Sequence, residues 1–328
     1  MQINVAQIGV GYWGPNLLRN FMSNKMCNVK TVVDVSQERL DYVKRLNPKI
    51  STAKDAKEVF NDSSIDAIVI ATPVRTHYGL VMRALTSKKH VLVEKPMATN
   101  VTEIEHISLL AEEQSRVVMV GHTFLYNPAV RYLKKYVDSG ELGDVRYIYS
   151  QRLNLGRIRS DVDALWNLAP HDISIIQYLL NDESPISVSR SGRDYIQEGV
   201  EDVVFMRITY AKKIAAYIHV SWLDPNKVRR TTVVGSKKMV IYDDMAENKI
   251  AIYDKGIDRM ASLNENMNFD DTGATNFVHR SGDLIMPKLE WQEPLKAEVE
   301  HFVDCVVNNV ECLTGMKHAL EVVRILSS

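Results

Sequence analysis

Gly9-Val10-Gly11-Tyr12-Trp13-Gly14 constrains this chain more than any other segment. It follows the β-rich run 3–10 and opens the stretch 15–23, where Leu17, Leu18 and Phe21 recur at helical spacing. A G-x-G-x-x-G between a strand and a helix is the turn of a dinucleotide-binding βαβ unit. Gly9 permits the tight turn, Gly11 lets a pyrophosphate approach the backbone, and Gly14 lets the helix pack closely on the strand. The helix N-terminus adds a positive dipole end and unpaired N–H groups for the phosphates. Tyr12 and Trp13, between the glycines, belong to the same cofactor site. Asp34 ends the second β-rich run, 29–35, twenty residues beyond Gly14. A carboxylate there accepts the adenosine ribose hydroxyls and repels a 2′-phosphate, which favours NAD over NADP. Arg39 follows Glu38 on the next predicted helix and is expected to face solvent.

The alternation continues. Apolar runs at 65–71, 90–93 and 116–120 are separated by helix-like stretches at 76–85 and 102–114. Fully apolar strands alternating with helices predict a doubly wound parallel sheet covered on both faces. After about Gly121 the character changes. One more helix is predicted at 127–139. Period-two strands follow at 145–153, 186–191, 203–210, 214–223, 230–234, 239–242 and 249–253, interrupted by helices at 170–180 and 295–308. This predicts an α/β chain with two domains: an NAD-binding Rossmann domain over 1–121, and an α/β domain with a large, mostly antiparallel sheet over 122–328. Residues 264–284 are polar and weakly periodic and are read as a long loop.

Composition excludes several classes. Forty Lys and Arg balance 41 Asp and Glu, which leaves no electrostatic footprint for nucleic acid or an anionic membrane. No run approaches the roughly 18 apolar residues of a membrane span. No secretory signal is visible at the N-terminus, so a cytoplasmic protein is expected. Cys27, Cys305 and Cys312 show no metal-ligand spacing, and the nine histidines show no H-E-x-x-H, so no metal is expected.

Chemistry is expected at the carboxyl ends of the parallel strands. Thr72 and Pro73 end the strand 65–71 and are candidates to line the cofactor, with His77 one helical turn on. Glu94-Lys95-Pro96 follows the strand 90–93. A Lys95 ammonium there can bind a substrate hydroxyl and stabilise the alkoxide that forms as hydride leaves. Glu94 can pair with Lys95 or accept from the nicotinamide ribose. Asn167 and His171 are four apart and share a face if the backbone is helical. His171 is the side chain suited to take the hydroxyl proton; the alternative is a buried histidine satisfied by backbone.

Taken in order, Gly9–Gly14, Asp34, Ala71-Thr72-Pro73 with His77, Glu94-Lys95-Pro96 and Asn167…His171 resemble the Gfo/Idh/MocA oxidoreductases. Gly140-Glu-Leu-Gly143, Val234-Gly235-Ser-Lys and Glu293-Pro294-Leu295, with Glu298 and Phe302 behind it, extend the resemblance along the chain. It implies NAD(P)-dependent oxidation of a secondary alcohol on a sugar or polyol, with Lys95 and His171 in the catalytic roles. It also implies a homodimer or homotetramer formed through the second sheet. Asn167 stands where inositol-dehydrogenase-like members carry Asp. That shifts the expected substrate toward nucleotide-linked sugars such as a UDP-N-acetylhexosamine or its uronic acid, oxidised at C3. Tyr126, Arg157, Arg159, Asn167 and His171 are the substrate-binding set; the two arginines suit a diphosphate or a carboxylate. The competing expectations are an inositol or free-sugar dehydrogenase, a redox-neutral NAD-dependent glycosidase or lyase, and a non-catalytic NAD-binding regulator.

Overall fold

Mostly apolar runs of four to seven residues form five of the six strands of the first sheet, as expected where helices cover both faces. In the computed structural model, which describes residues 2–156, 158–160, 162–260 and 276–328, the chain forms two compact units. The first comprises Met1–Pro128, Leu165–Ser184 and Trp291–Ser328; the second comprises Ala129–Ala164 and Pro185–Glu290. The break expected near Gly121 therefore falls at Pro128. Two later segments, Leu165–Ser184 and Trp291–Ser328, belong to the first unit although more than 150 residues separate them from its opening strand, Ile3–Ile8.

In the first unit, β1 (Ile3–Ile8), α1 (Gly14–Ser23), β2 (Cys27–Val33), α2 (Gln37–Leu46), β3 (Ser51–Ala53), α3 (Lys57–Asn61), β4 (Ala67–Ile70), α4 (His77–Thr86), β5 (His90–Glu94), α5 (Val101–Glu113) and β6 (Val118–Gly121) alternate. The six strands are all parallel, in the order β3-β2-β1-β4-β5-β6. That is the doubly wound order, and its switch point lies between β1 and β4, where ligands bind in such sheets. Every residue of β4 and β6 is buried. The sequence pattern predicts neither β3 nor α3. Three and five residues long, they are too short to display a period.

The second unit holds α6 (Pro128–Asp138) from Ala129 onward and β7 (Val145–Leu153). The long helix α7 (Ala164–Leu179) lies almost wholly in the first unit. It starts six residues earlier than expected. Pro170 sits inside it rather than at its start, and Asn167 and His171 are one helical turn apart. The second unit continues with β8 (Ser187–Arg193), β9 (Val203–Thr209), β10 (Ala215–Ser221), β11 (Val228–Gly235), β12 (Met239–Asp243), β13 (Ile250–Tyr253), β14 (Gly256–Met260), β15 (Asn276–Arg280) and β16 (Leu284–Ile285). Eight of these strands form one sheet, β16-β13-β12-β11-β7-β10-β9-β8. Its one parallel pair is β7 with β10. β14 and β15 form a separate antiparallel ribbon. So the segment expected as a loop over 264–284 contains a strand, while its residues 264–275 lie outside the described residues. α8 (Pro294–Asn308) and α9 (Met316–Leu326) complete the first unit.

The core of the first unit runs from β1, β4 and β5 across α4 and α5 to Ala319 and Val323 of α9. On its other side Phe21 of α1 meets Phe302 of α8 edge to face, ring centroids 6.1 Å apart. In the second unit, alternate residues of the large sheet point outward. Tyr147, Tyr149, Phe205 and Tyr217 are large, exposed and on one face. Among the described residues no helix is long and apolar enough to cross a membrane.

Candidate active site

The turn after β1 is built so that protein atoms crowd its first and last glycines and leave the middle one open. Gly9 has φ +95°, and a Cβ there would lie 2.6 Å from Ala71 O. A Cβ at Gly14 would lie 2.6 Å from Gly9 O. A Cβ at Gly11 would meet nothing nearer than Arg39 Nη1 at 3.7 Å. That side leaves room for a ligand to approach the backbone. Gln7, buried in β1, donates its amide to both Gly9 O and Gly14 O at 2.9 Å and fixes the turn. Pro15 has no N–H and the Asn16 N–H bonds Trp13 O, so donors for a pyrophosphate come from the turn itself, residues 11–14. Tyr12 is almost wholly exposed and Trp13 partly so.

Asp34 is buried at the end of β2. Its carboxylate accepts the Val10 N–H at 2.8 Å and the Ser36 N–H at 2.9 Å, so the acid is anchored to the glycine turn. Arg39 does not simply face solvent. It is half-exposed, and its guanidinium reaches back to Asp34 Oδ2 at 3.4 Å. On a helix, one turn carries residue 39 back over the strand end, which the pattern of charged neighbours did not reveal.

At the end of β4, Thr72 Oγ1 pairs with Thr76 Oγ1 at 2.7 Å, and Pro73 O accepts the Thr76 N–H. His77 is buried. Its ring nitrogens lie 2.7 Å from Thr72 O and 2.8 Å from Pro96 O. It clamps the end of β4 to the cis Lys95–Pro96 peptide that follows β5. Burial pulls its pKa below the ordinary imidazole value, against the two carbonyls, which favour the charged form. Thus His77 positions the site's backbone, and its ring is spent on protein.

Glu94 and Lys95 leave β5 in opposite roles. Lys95 Nζ donates to Asn167 O of α7 at 3.0 Å. This ties the amine to the helix that carries His171 one turn later. Phe124 packs edge to face on the His171 ring, centroids 4.9 Å apart, and holds its plane. The Glu94 carboxyl is buried, and its Oε1 has no hydrogen-bond partner in the protein. Burial raises its pKa to about 7, although the Lys95 charge, the Lys95 N–H and the Trp13 indole all favour the anion. A buried acceptor lacking a donor suits a ligand hydroxyl.

Glu298 of α8 was not placed here by its own sequence context. It is fully buried, and its carboxyl and that of Glu94 converge on the space a side chain at Gly121 would fill. A Cβ there would lie 3.1 Å from Glu94 Oε1 and 3.3 Å from Glu298 Oε1. Desolvation and the Glu94 charge hold Glu298 well above the usual carboxylate range, against a smaller opposing effect of Thr123, and neither carboxyl oxygen has a hydrogen-bond partner among the described residues. A glycine ending a buried strand was the signal for this convergence. Beside it His122, also buried, meets His318 of α9 edge to face at 5.3 Å. His318 in turn bonds Asp182 at 2.6 Å and Ser174 at 3.1 Å. Burial, then the neighbouring His318 and Lys95, keep His122 far below the ordinary imidazole pKa.

One expected substrate residue, Tyr126, is not brought to this cluster. Tyr126 is buried, with its hydroxyl on Thr314 Oγ1 at 3.2 Å and Met119 Sδ at 3.7 Å, so it is a core residue. Arg159 belongs to the second unit, where its carbonyl accepts from Gln197. Arg157 lies outside the described residues.

Residues 3–122 match the oxidoreductase family with an NAD-binding Rossmann fold, and residues 130–241 match the Gfo/Idh/MocA C-terminal domain. The chain belongs to the Gfo/Idh/MocA oxidoreductase family.

An uncharacterised Escherichia coli oxidoreductase is 31% identical over 52% of this chain and 51% of its own length. The UDP-N-acetylglucosamine 3-dehydrogenase of Acidithiobacillus ferrooxidans is 24% identical over 78% of each chain. The NAD-dependent scyllo-inositol 2-dehydrogenase of Bacillus subtilis is 24% identical over 94% of this chain and 87% of its own. The chain spans only 51, 60 and 58% of the length of three of its curated relatives. The solved structure of the Acidithiobacillus enzyme superposes with a TM-score of 0.80 at 21% identity, covering 100% of this chain and 96% of that one. A protein of gentamicin A biosynthesis, crystallised with NAD, gives 0.81 at 20% identity, covering 99 and 92%. At these identities the likeness shows the fold.

Proposed function

We propose that the protein is an NAD-dependent dehydrogenase that oxidises a secondary alcohol of a nucleotide-linked sugar, at C3 of a UDP-N-acetylhexosamine or its uronic acid. One observation carries this reading: the Lys95 amine is fastened to α7 at Asn167, one turn from His171, beside the open turn of a dinucleotide site. NAD, held by the Gly9–Gly14 turn, Asp34 and the Thr72–Pro73 strand end, supplies the hydride acceptor. Lys95 binds the substrate hydroxyl and stabilises negative charge on its oxygen as the C–H bond breaks. His171 takes the hydroxyl proton and returns it in the reverse reaction. The Asn167 amide donates to a second hydroxyl. Glu94 offers its unpaired oxygen to a ribose hydroxyl. Asp34 supports NAD over NADP, because its buried carboxylate repels a 2′-phosphate; its contact with Arg39 leaves one cation within reach of such a phosphate.

The second reading is an inositol or free-sugar dehydrogenase, favoured by the long alignment with the Bacillus subtilis enzyme. Against it stands Asn167, which cannot carry the charge that orients an imidazolium. On sequence grounds Arg157 and Arg159 are assigned to the anionic group of the nucleotide-linked substrate. Replacing both by alanine should weaken UDP-sugar binding by at least about tenfold in calorimetry while NAD affinity stays constant. Unchanged sugar affinity would remove the nucleotide-linked assignment. The exposed aromatic face of the large sheet supports a homodimer or homotetramer, and the cytoplasm is the compartment proposed.

A further inference from the structure

The three cysteines show no metal spacing along the chain, yet folding brings two of them to a histidine. His301 and Cys305 are four apart on α8. Asn309, in the left-handed conformation at the helix end, turns the chain back, and Cys312 returns beside them. One donor atom from each residue lies within 4.8 Å of the other two. The Cys305 Sγ to His301 Nε2 distance is 3.5 Å. With zinc–sulfur bonds near 2.3 Å and zinc–nitrogen bonds near 2.0 Å, a tetrahedral ion sets its S and N ligands about 3.5 Å apart. The imidazole tautomer is also fixed. Nε2 accepts the Leu313 N–H at 3.0 Å, so Nε2 carries the lone pair.

We propose that His301, Cys305 and Cys312 form a binding site for one thiophilic divalent cation, Zn²⁺, with water as the fourth ligand. Two thiolates and one imidazole are a zinc donor set. Zn²⁺ binds the two cysteines as thiolates and releases their protons to solvent. A cavity of about 570 Å³ between α1 and α8 is lined by His301 with Glu300 and Asp304, and also by Lys25 and Lys296.

Occupancy has a structural consequence. The ion displaces the Leu313 N–H from Nε2 and takes over the hold on the 309–315 loop. The same loop carries Thr314, whose hydroxyl donates to Val120 O at 2.7 Å and whose carbonyl accepts Val120 N–H at 3.0 Å. The loop is thereby bonded to β6, the strand that ends at Gly121 between Glu94 and Glu298. The site is separate from the hydride chemistry, and its contribution is to brace that strand.

The test uses the reduced full-length protein, with Zn²⁺ measured by competition against a chromogenic chelator and Cd²⁺ as a probe of thiolate ligation. One cation per chain, a cadmium–thiolate charge-transfer band and a higher Tm with Zn²⁺ are expected. His301→Gln and Cys312→Ser should each weaken Zn²⁺ at least about tenfold, and Cys27→Ser should leave it unchanged. Retained NAD binding shows that the variants are folded. Absence of stoichiometric binding would overturn the proposal. So would binding indifferent to His301 and Cys312, or a Cys305–Cys312 disulfide whose reduced form takes no cation.

Discussion

Lys95→Ala deletes an ammonium that the fold holds against Asn167 O. Turnover is expected to fall by about 10²–10³, the loss seen when one donor to a developing oxyanion is removed. His171→Ala should lower it by about 10²–10⁴ through loss of the base. NAD binding, followed by fluorescence titration, should persist in both; an unchanged kcat would refute the assigned role. The buried acids give a pH signature. Glu94 and Glu298 both have folded pKa values above the ordinary carboxylate value of 4.5. The folded state therefore holds their protons more tightly, and their stabilising contribution is complete below pH 4.5. It is lost as pH rises, through about 7 for Glu94. Glu298→Gln removes one raised carboxyl, so the fall in Tm from pH 4.5 to 7 should be shallower than in the wild type. An equal or steeper fall would contradict the pairing.

At this scale the sequence revealed residue types better than their orientation. Lys95, Asn167 and His171 were legible because strand ends and helical spacing fix where they lie. His77 was not, since a ring aimed at a ligand and a ring spanning two carbonyls have the same neighbours in sequence. Tyr126 was misplaced for a related reason: a tyrosine beside a strand end is as well suited to a core as to a pocket.

At the scale of elements, helix α8 joins chemistry to stability. One of its faces presents Glu298 to β6, and Phe302 packs fully buried against Phe21. Phe302→Ala should cost about 3–5 kcal/mol in urea unfolding, by lost burial and a residual cavity. A cost below about 1 kcal/mol would mean that α8 does not brace α1. Apart from the three-residue β3, the parallel strands were legible because most of their runs are apolar, and most antiparallel strands because they alternate. The start of α7 was obscured by Pro170, which reads as a helix beginning but lies within the helix. The pairing of β14 with β15 was invisible because short polar strands carry no apolar period.

On the scale of the whole molecule, the order of the sheet decides where chemistry can occur. Strand order β3-β2-β1-β4-β5-β6 puts the glycine turn, Thr72 and Lys95 at one edge, and the return of α7 adds His171 to the same unit. That return was not legible. Residues 165–184 carry no label, local to their sequence, that assigns them to one unit rather than the other. The substrate is the finest claim, and it is tested by mixing the purified protein with NAD⁺ and, separately, UDP-N-acetylglucosamine, its glucuronic acid form, UDP-glucose, free glucose and inositols, while following NADH. NADH should rise with a UDP-N-acetylhexosamine or its uronic acid, and the Lys95→Ala protein should abolish the rise. A rise with inositol alone, or none with any UDP-sugar while NAD binds, would contradict it.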